Sequence, residues 1–253
     1  MNPEPLRHLL EYYRDLGITT LYRRGADFPV CGSAPLAAAS AEVPRGLKPA
    51  PQSPMELPTL QPCGDSMLKI IEDIGDCKRC RLHQGRNKIV FGDGNERSPL
   101  VFVGEGPGAD EDAQGIPFVG RAGQLLTQMI DNTAAKEGIR IRRDNVYICN
   151  VVKCRPPENR TPEPDEMAIC SEFLFRQLTV IRPKAICALG STATKALLGT
   201  RDGVTKLRGK WHKWRDIPVM VTYHPSYLLR PYNQNAKREA WEDLKRVLHY
   251  VYD

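Results

Sequence analysis

The sequence predicts an α/β fold built on a parallel sheet with helices on both faces. Two observations carry that prediction. From about residue 66 onward, short and nearly continuous apolar runs alternate with longer segments of helical periodicity, the pattern of strands buried on both faces. The residues with chemical potential gather just after those apolar runs, where ligands sit in open parallel sheets.

The elements follow in order. SPLVFVGE (98–105) is a short apolar run that ends at a glycine and reads as the first buried strand. RAGQLLTQMIDNTAAKEG (121–138) reads as a helix stopped by glycine. NVYICNVV (145–152) is the second strand, and PEPDEMAICSEFLFRQLTVIRP (162–183) a helix opened by prolines and acids and closed by Pro183. KAICALG (184–190) is the third strand, and STATKALLG (191–199) a short helix with Ser191 as N-cap. IPVMVTYHPS (217–226) is a strand running into a turn, and AKREAWEDLKRVLHYVYD a closing helix. Ahead of these, residues 5–23 place Leu6, Leu9, Leu10, Tyr13 and Leu16 near helical spacing. Residues 24–65 hold eight prolines around an alanine run and read as a linker. The expected organisation is therefore a helix over 1–23, a flexible linker over 24–65, and one domain over 66–253.

Composition narrows the class. The chain has 253 residues, 41% hydrophobic and 26% charged, as in ordinary globular proteins. It has no apolar run long enough to span a bilayer, and MNPEPLRHLLEYYRD has the prolines and acids that a secretion leader lacks. A cytoplasmic protein with no membrane partner is expected. The net charge of +6 permits a polyanionic partner. Eight cysteines without an export signal point to metal ligands or buried thiols rather than disulfides.

The strand ends hold the candidate site. After the first strand comes GEGPGADEDAQGIPFVG, glycine-rich like a phosphate cradle but followed at once by Asp110, Glu111 and Asp112. It lacks the Gly-Lys-Ser/Thr ending of a P-loop. Phe118 in its last turn reads, taken alone, as a core aromatic rather than a ligand platform. Asn150 ends the second strand. Its amide presents a donor and an acceptor together and can read a base edge, or merely cap the strand. His224 opens the HPS turn, as a packed, capping or catalytic residue. Cys77 and Cys80 form CKRC, and with Cys154 and Cys170 make four ligands for zinc or an iron–sulfur cluster. The wide second pair is awkward for a zinc ribbon. Cys149 and Cys187 read as buried thiols. The run KLRGKWHKWR (206–215) reads as a phosphate-facing strip, with Trp211 and Trp214 packed behind, or as a solvated hairpin.

GEGPGADEDAQGIPFVGRAGQLL, NVVKCRPPENRTP and HPSYLLR, preceded by CKRC, together closely resemble the family 4 uracil-DNA glycosylases. These are base-excision repair enzymes that carry an iron–sulfur cluster. The resemblance covers about 66–253 and implies a three-layer α/β/α fold with a four-stranded, mainly parallel central sheet. It implies a [4Fe–4S] cluster on Cys77, Cys80, Cys154 and Cys170. The expected partner is uracil-containing DNA, single- or double-stranded, met by a monomer in the bacterial nucleoid. Carried over residue by residue, Phe118 stacks on the flipped uracil, Asn150 reads its edge, and Glu105 and Gly106 line the pocket. His224 faces uracil O2, and Glu111 is the favoured water-orienting acid over Glu105 and Asp110. Leu228 is the wedge into the base stack, with Ser226, Tyr227, Arg230 and Arg155 at the DNA. No histidine lies between Pro117 and Ile181, which separates this chain from the covalent DNA-trapping relatives. The competing readings are a non-catalytic protein of the same fold that binds uracil or abasic sites, and an iron–sulfur carrier or zinc module without base chemistry.

Overall fold

The computed structural model describes residues 64–253 apart from Pro231. The expected N-terminal helix and linker, with Cys31 and Cys63, lie outside the described residues, except that the last two linker positions, Gly64 and Asp65, fall within them.

Four parallel strands form the centre of a six-stranded sheet. In chain order the strands are β1 (Asp93–Gly94), β2 (Leu100–Gly104), β3 (Tyr147–Asn150), β4 (Ala185–Leu189), β5 (Trp211–Trp214) and β6 (Ile217–Thr222). Their spatial order is β1-β3-β2-β4-β6-β5. The four expected strands are β2, β3, β4 and β6. The sequence reading did not separate out β1 and β5, which pair antiparallel at the two edges. Both are short. β5 forms the hairpin that was one reading of 206–215.

The helices cover both faces, as the alternation requires. On β2, Val101 and Val103 point to one face, with Tyr147, Cys149, Ile186, Ala188 and Val219. There they meet α1 (Met67–Ile74), α4 (Pro164–Ile181) and α5 (Gly190–Leu198) through residues such as Ile70, Phe173, Leu174 and Leu197. Leu100 and Phe102 point to the other face, with Ile148, Cys187 and Met220. They meet α3 (Arg121–Lys136) and α8 (Gln234–Tyr252) through Leu126, Ile130, Leu244, Val247 and Leu248. Those spacings of three and four residues put one apolar stripe of each helix on the sheet. Cys149 and Cys187 are wholly buried, one on each face.

Three local departures bear on the site. The acidic segment after β2 is not a loop throughout but contains a short helix, α2 (Ala109–Gln114). Ser191 is not the N-cap of α5: the helix begins at Gly190, whose φ of +88° makes the turn out of β4. Trp214 is buried against Phe175, but Trp211 is 39% exposed and lies on Tyr250 rather than packing behind the strip. Two further short helices, α6 (Val204–Leu207) and α7 (Pro225–Leu228), flank the β5–β6 hairpin in sequence.

Candidate active site

The carboxyl ends of β2, β3 and β4 and the turn after β6 open into one cleft of about 450 Å³, within the size range of small-ligand sites. The segment after β2 supplies Glu105 to Glu111 and Phe118, β3 supplies Asn150, the start of α5 supplies Gly190 and Ser191, and the last turn supplies His224 and Ser226. The structure thus brings Glu105, Gly106, Glu111, Phe118, Asn150, His224 and Ser226 to one cavity.

Asn150 is 1% exposed, and its Oδ1 is a buried acceptor with no hydrogen-bond partner among the described residues. An orphaned buried acceptor costs about 1–3 kcal/mol, so its presence in the cleft wall points to a ligand. Gly104 sits beneath it. A Cβ there would lie 2.5 Å from Phe118 Cζ and clash with Asn150 Oδ1 as well. The glycine therefore lets the aromatic and the amide meet at the cleft floor.

Phe118 is 6% exposed and adopts φ of 55°, a left-handed conformation that bulky residues avoid. Two features hold it there. Gly123 lets the first turn of α3 approach so closely that a Cβ would fall on the Phe118 carbonyl. Glu111 supplies the second, because its Oε1 accepts from the amides of Val119 (3.0 Å) and Gly120 (2.9 Å) while its Oε2 accepts from Gly108 (3.0 Å). Both carboxylate oxygens are thus engaged in fixing the turn that carries Phe118. Asp112 is fully buried and accepts from Asn87 N and Nδ2, tying the same segment to the chain before β1. Glu105 accepts from the hydroxyl of Thr192 on α5.

His224 lies beside Phe118, with ring centroids 5.6 Å apart. It is the N-cap of α7: Nδ1 accepts from Ser226 N at 3.2 Å and is 2.8 Å from Ser226 Oγ. An Nδ1 that accepts an amide proton leaves the ring proton of the neutral form on Nε2. Burial depresses the His224 pKa to about 4, against a small opposing pull from Glu111. At neutral pH the side chain is therefore an uncharged donor through Nε2. Gly190 makes room for it, since a Cβ there would approach His224 Cβ to 2.9 Å.

Leu228 does not stand where the wedge was expected. It is 1% exposed and packs on Ala236 and Ala240 of α8. In the single turn of α7 its side chain points inward, and the exposed large apolar side chains of HPSYLLR are Tyr227 (39%) and Leu229 (36%). Tyr227 stacks on Tyr223, and the exposed Arg230 guanidinium lies 5.8 Å from the Tyr227 ring. Arg155 is half-buried and its Nε donates to Asn159. The strip 206–215 is divided. Arg208 turns inward to a bidentate pair with Asp243, and Lys206 pairs with Asp202, whereas Lys210, Lys213 and Arg215 are exposed. Gly190, Ser191 and Thr192 were not chosen as site residues from the sequence, although their place directly after KAICALG is the signal that marks the others.

The four candidate ligand cysteines come together on one side of the domain. Cys154 and Cys170 are buried, and Cys77 and Cys80 pack against the same core at half-exposure. Burial pushes the thiols of Cys80, Cys154 and Cys170 up, and each also feels like-charge repulsion from others of the four. Lys153 N donates to Cys170 Sγ at 3.2 Å and Arg86 Nη1 to Cys154 Sγ at 3.4 Å. Among the described residues no three His, Cys, Asp or Glu side chains stand ready to hold a single metal ion. Four neighbouring thiols, two of them buried and two half-exposed, with N–H donors aimed at the two buried sulfurs, are a donor set that would fit an iron–sulfur cluster.

The model of the uracil DNA glycosylase superfamily matches residues 91–245, and the chain belongs to that superfamily. A type-4 uracil-DNA glycosylase of Thermotoga maritima is 44% identical over 190 residues, covering 74% of this chain and 96% of that protein. Those of Sulfurisphaera tokodaii and Archaeoglobus fulgidus are 46% and 40% identical over 191 residues, covering 84% and 92% of their lengths. Within the superfamily the chain is a member of the type-4 uracil-DNA glycosylases.

Proposed function

We propose that this protein removes uracil from DNA by hydrolysing the bond between uracil N1 and deoxyribose C1′, and that a [4Fe–4S] cluster held by Cys77, Cys80, Cys154 and Cys170 stabilises it. The single observation that carries the reading is the unpartnered Asn150 Oδ1 in the floor of a cleft shared with Phe118 and His224.

The chemistry follows from the donors present. A base inside a duplex is out of reach, so the nucleotide is flipped out at a cost of a few kcal/mol. Phe118 gives the ring a flat face. Asn150 Oδ1 accepts from uracil N3–H while Nδ2 donates to O4. Cytosine presents the opposite pattern and leaves both groups unpaired. As the C1′–N1 bond breaks, its electron pair passes to uracil and charge gathers on O2. On this reading the neutral His224 Nε2–H donates there, and such a donor typically contributes about a hundredfold to a thousandfold in rate. Water adds its oxygen to C1′, and its spare proton leaves to solvent or to the departing base. Glu111 holds the Phe118 turn through three amides, so its part is to position. Glu105, braced by Thr192, takes over as the acid facing the sugar. With Leu228 in the core, Leu229 or Tyr227 is the side chain that fills the vacated stack, and Ser226, Arg230 and Arg155 meet the strand beside it. Cys77 and Cys80 of the CKRC segment, Cys154 just after Asn150 and Cys170 on α4 would hold the cluster, which would supply a cross-link among these segments.

The test is incubation with a uracil-containing oligonucleotide followed by alkali. Scission at uracil that is lost in Asn150→Ala supports the proposal. Tight binding without scission would favour the non-catalytic alternative.

A further inference from the structure

Lys153 is completely buried, although lysine is almost never found so without a carboxylate partner. Its Nζ donates to the main-chain carbonyl of Asn150 at 3.0 Å and to Gln177 Oε1 at 2.6 Å, and it lies 5.9 Å from the Phe91 ring. Strand geometry explains the first contact. Carbonyls alternate in direction along a strand. That of Val146 accepts from Asn95 on the β1 side of β3, so the carbonyl of Asn150, four residues on, faces the same side. β1 pairs only with Tyr147 and Ile148. On that side no strand among the described residues reaches Asn150, whose pairing with Gly104 of β2 lies on the other side, and its carbonyl would be left bare where the amide must be held still. Lys153 folds back three residues and fills that place. Gln177 completes the clamp, with Nε2 donating to Phe91 O (3.0 Å) and Tyr147 Oη (3.1 Å).

We propose that Lys153 and Gln177 form a buried clamp that positions Asn150 for reading uracil. Neither residue lines the cleft, so both act through Asn150 and are positioning residues. The inference rests on the base-reading role proposed above for Asn150. Burying a lysine amine carries a desolvation cost that an apolar side chain of equal length would avoid. A site selected for stability alone would not hold this residue, whereas a site needing a donor beyond the end of β1 would.

The experiment compares Lys153→Met and Gln177→Met with wild type in single-turnover uracil release, in affinity for an oligonucleotide carrying an abasic site, and in visible absorbance. Lys153→Met is expected to lower the single-turnover rate by roughly tenfold to a hundredfold, the cost of a small misplacement. Affinity for abasic DNA and absorbance per protein should stay at wild-type values, because the grip on the strand and the cysteines is left intact. Gln177→Met should act in the same direction, and it alone decides should Lys153→Met prove insoluble. An unchanged rate overturns the clamp, and so does a rate that falls only in proportion to lost absorbance. Asn150→Ala is the control. If it keeps full activity, the base-reading role fails; if it is inactive while both clamp variants match wild type, only the clamp fails.

Discussion

At the scale of single residues, His224 determines how the cleft responds to pH. Its pKa lies near 4, below the ordinary 6.5, because burial penalises the charged ring. The neutral Nε2–H form therefore persists from alkaline pH down to about 5. Single-turnover uracil release should be flat across that range and fall as pH approaches 4. Nitrogen NMR of the ring should show the Nε2–H tautomer at pH 6, with an ordinary titration near 6.5 counting against the assignment. The same shift bears on stability. Below 6.5 the unfolded chain takes up the proton first, so the folded state loses stability as pH falls from there to about 4 and is unaffected above. Gly104 gives a second residue-level expectation. Gly104→Ala puts a methyl group between Asn150 and Phe118, and should abolish uracil release while thermal melting shows a folded protein.

At the scale of elements, α7 shows what the sequence could and could not convey. HPSYLLR marked the right segment, because a histidine directly after an apolar strand sits at a strand's carboxyl end. Which of two adjacent leucines faces out depends on how a four-residue helix lies on α8, and no periodicity survives in so short a piece. Leu228→Ala should cost about 2–5 kcal/mol of stability as a buried truncation, measured by denaturant unfolding. Leu229→Ala should leave stability unchanged and slow excision from duplex more than from single strands. Equal behaviour of the two would remove the distinction. Lys153 was illegible for a related reason. It stands one residue past the strand read at 145–152, where the sequence shows no reason for burial, and only the early end of β1 makes its burial useful. The reverse holds for Glu111, to which the family resemblance gave water chemistry, whereas its two oxygens are occupied by three amides. The four central strands and their helices were legible because apolar runs and helical periods are long there; β1 has only two residues, and β5, WHKW, is mostly exposed and shows no apolar run.

At the scale of the whole molecule, the sheet gathers the site, and the cluster proposed on the four cysteines would tie the segments that support it. Cys77 and Cys80 precede β1, Cys154 follows Asn150 by four residues, and Cys170 lies on α4. Replacing Cys77 or Cys154 by serine should abolish absorbance at about 400 nm and lower the melting temperature, while Cys187→Ser, on the opposite face, should leave the absorbance intact. The central claim is that one cleft both reads uracil and stabilises it as a leaving group. Its most direct test is the single-turnover rate of uracil release from a single-stranded oligonucleotide by wild type and His224→Ala, with binding to abasic DNA measured alongside. The account predicts release by wild type and a rate about a hundredfold to a thousandfold lower in the variant at unchanged affinity. Equal rates in the two proteins, or no release by wild type, would contradict it.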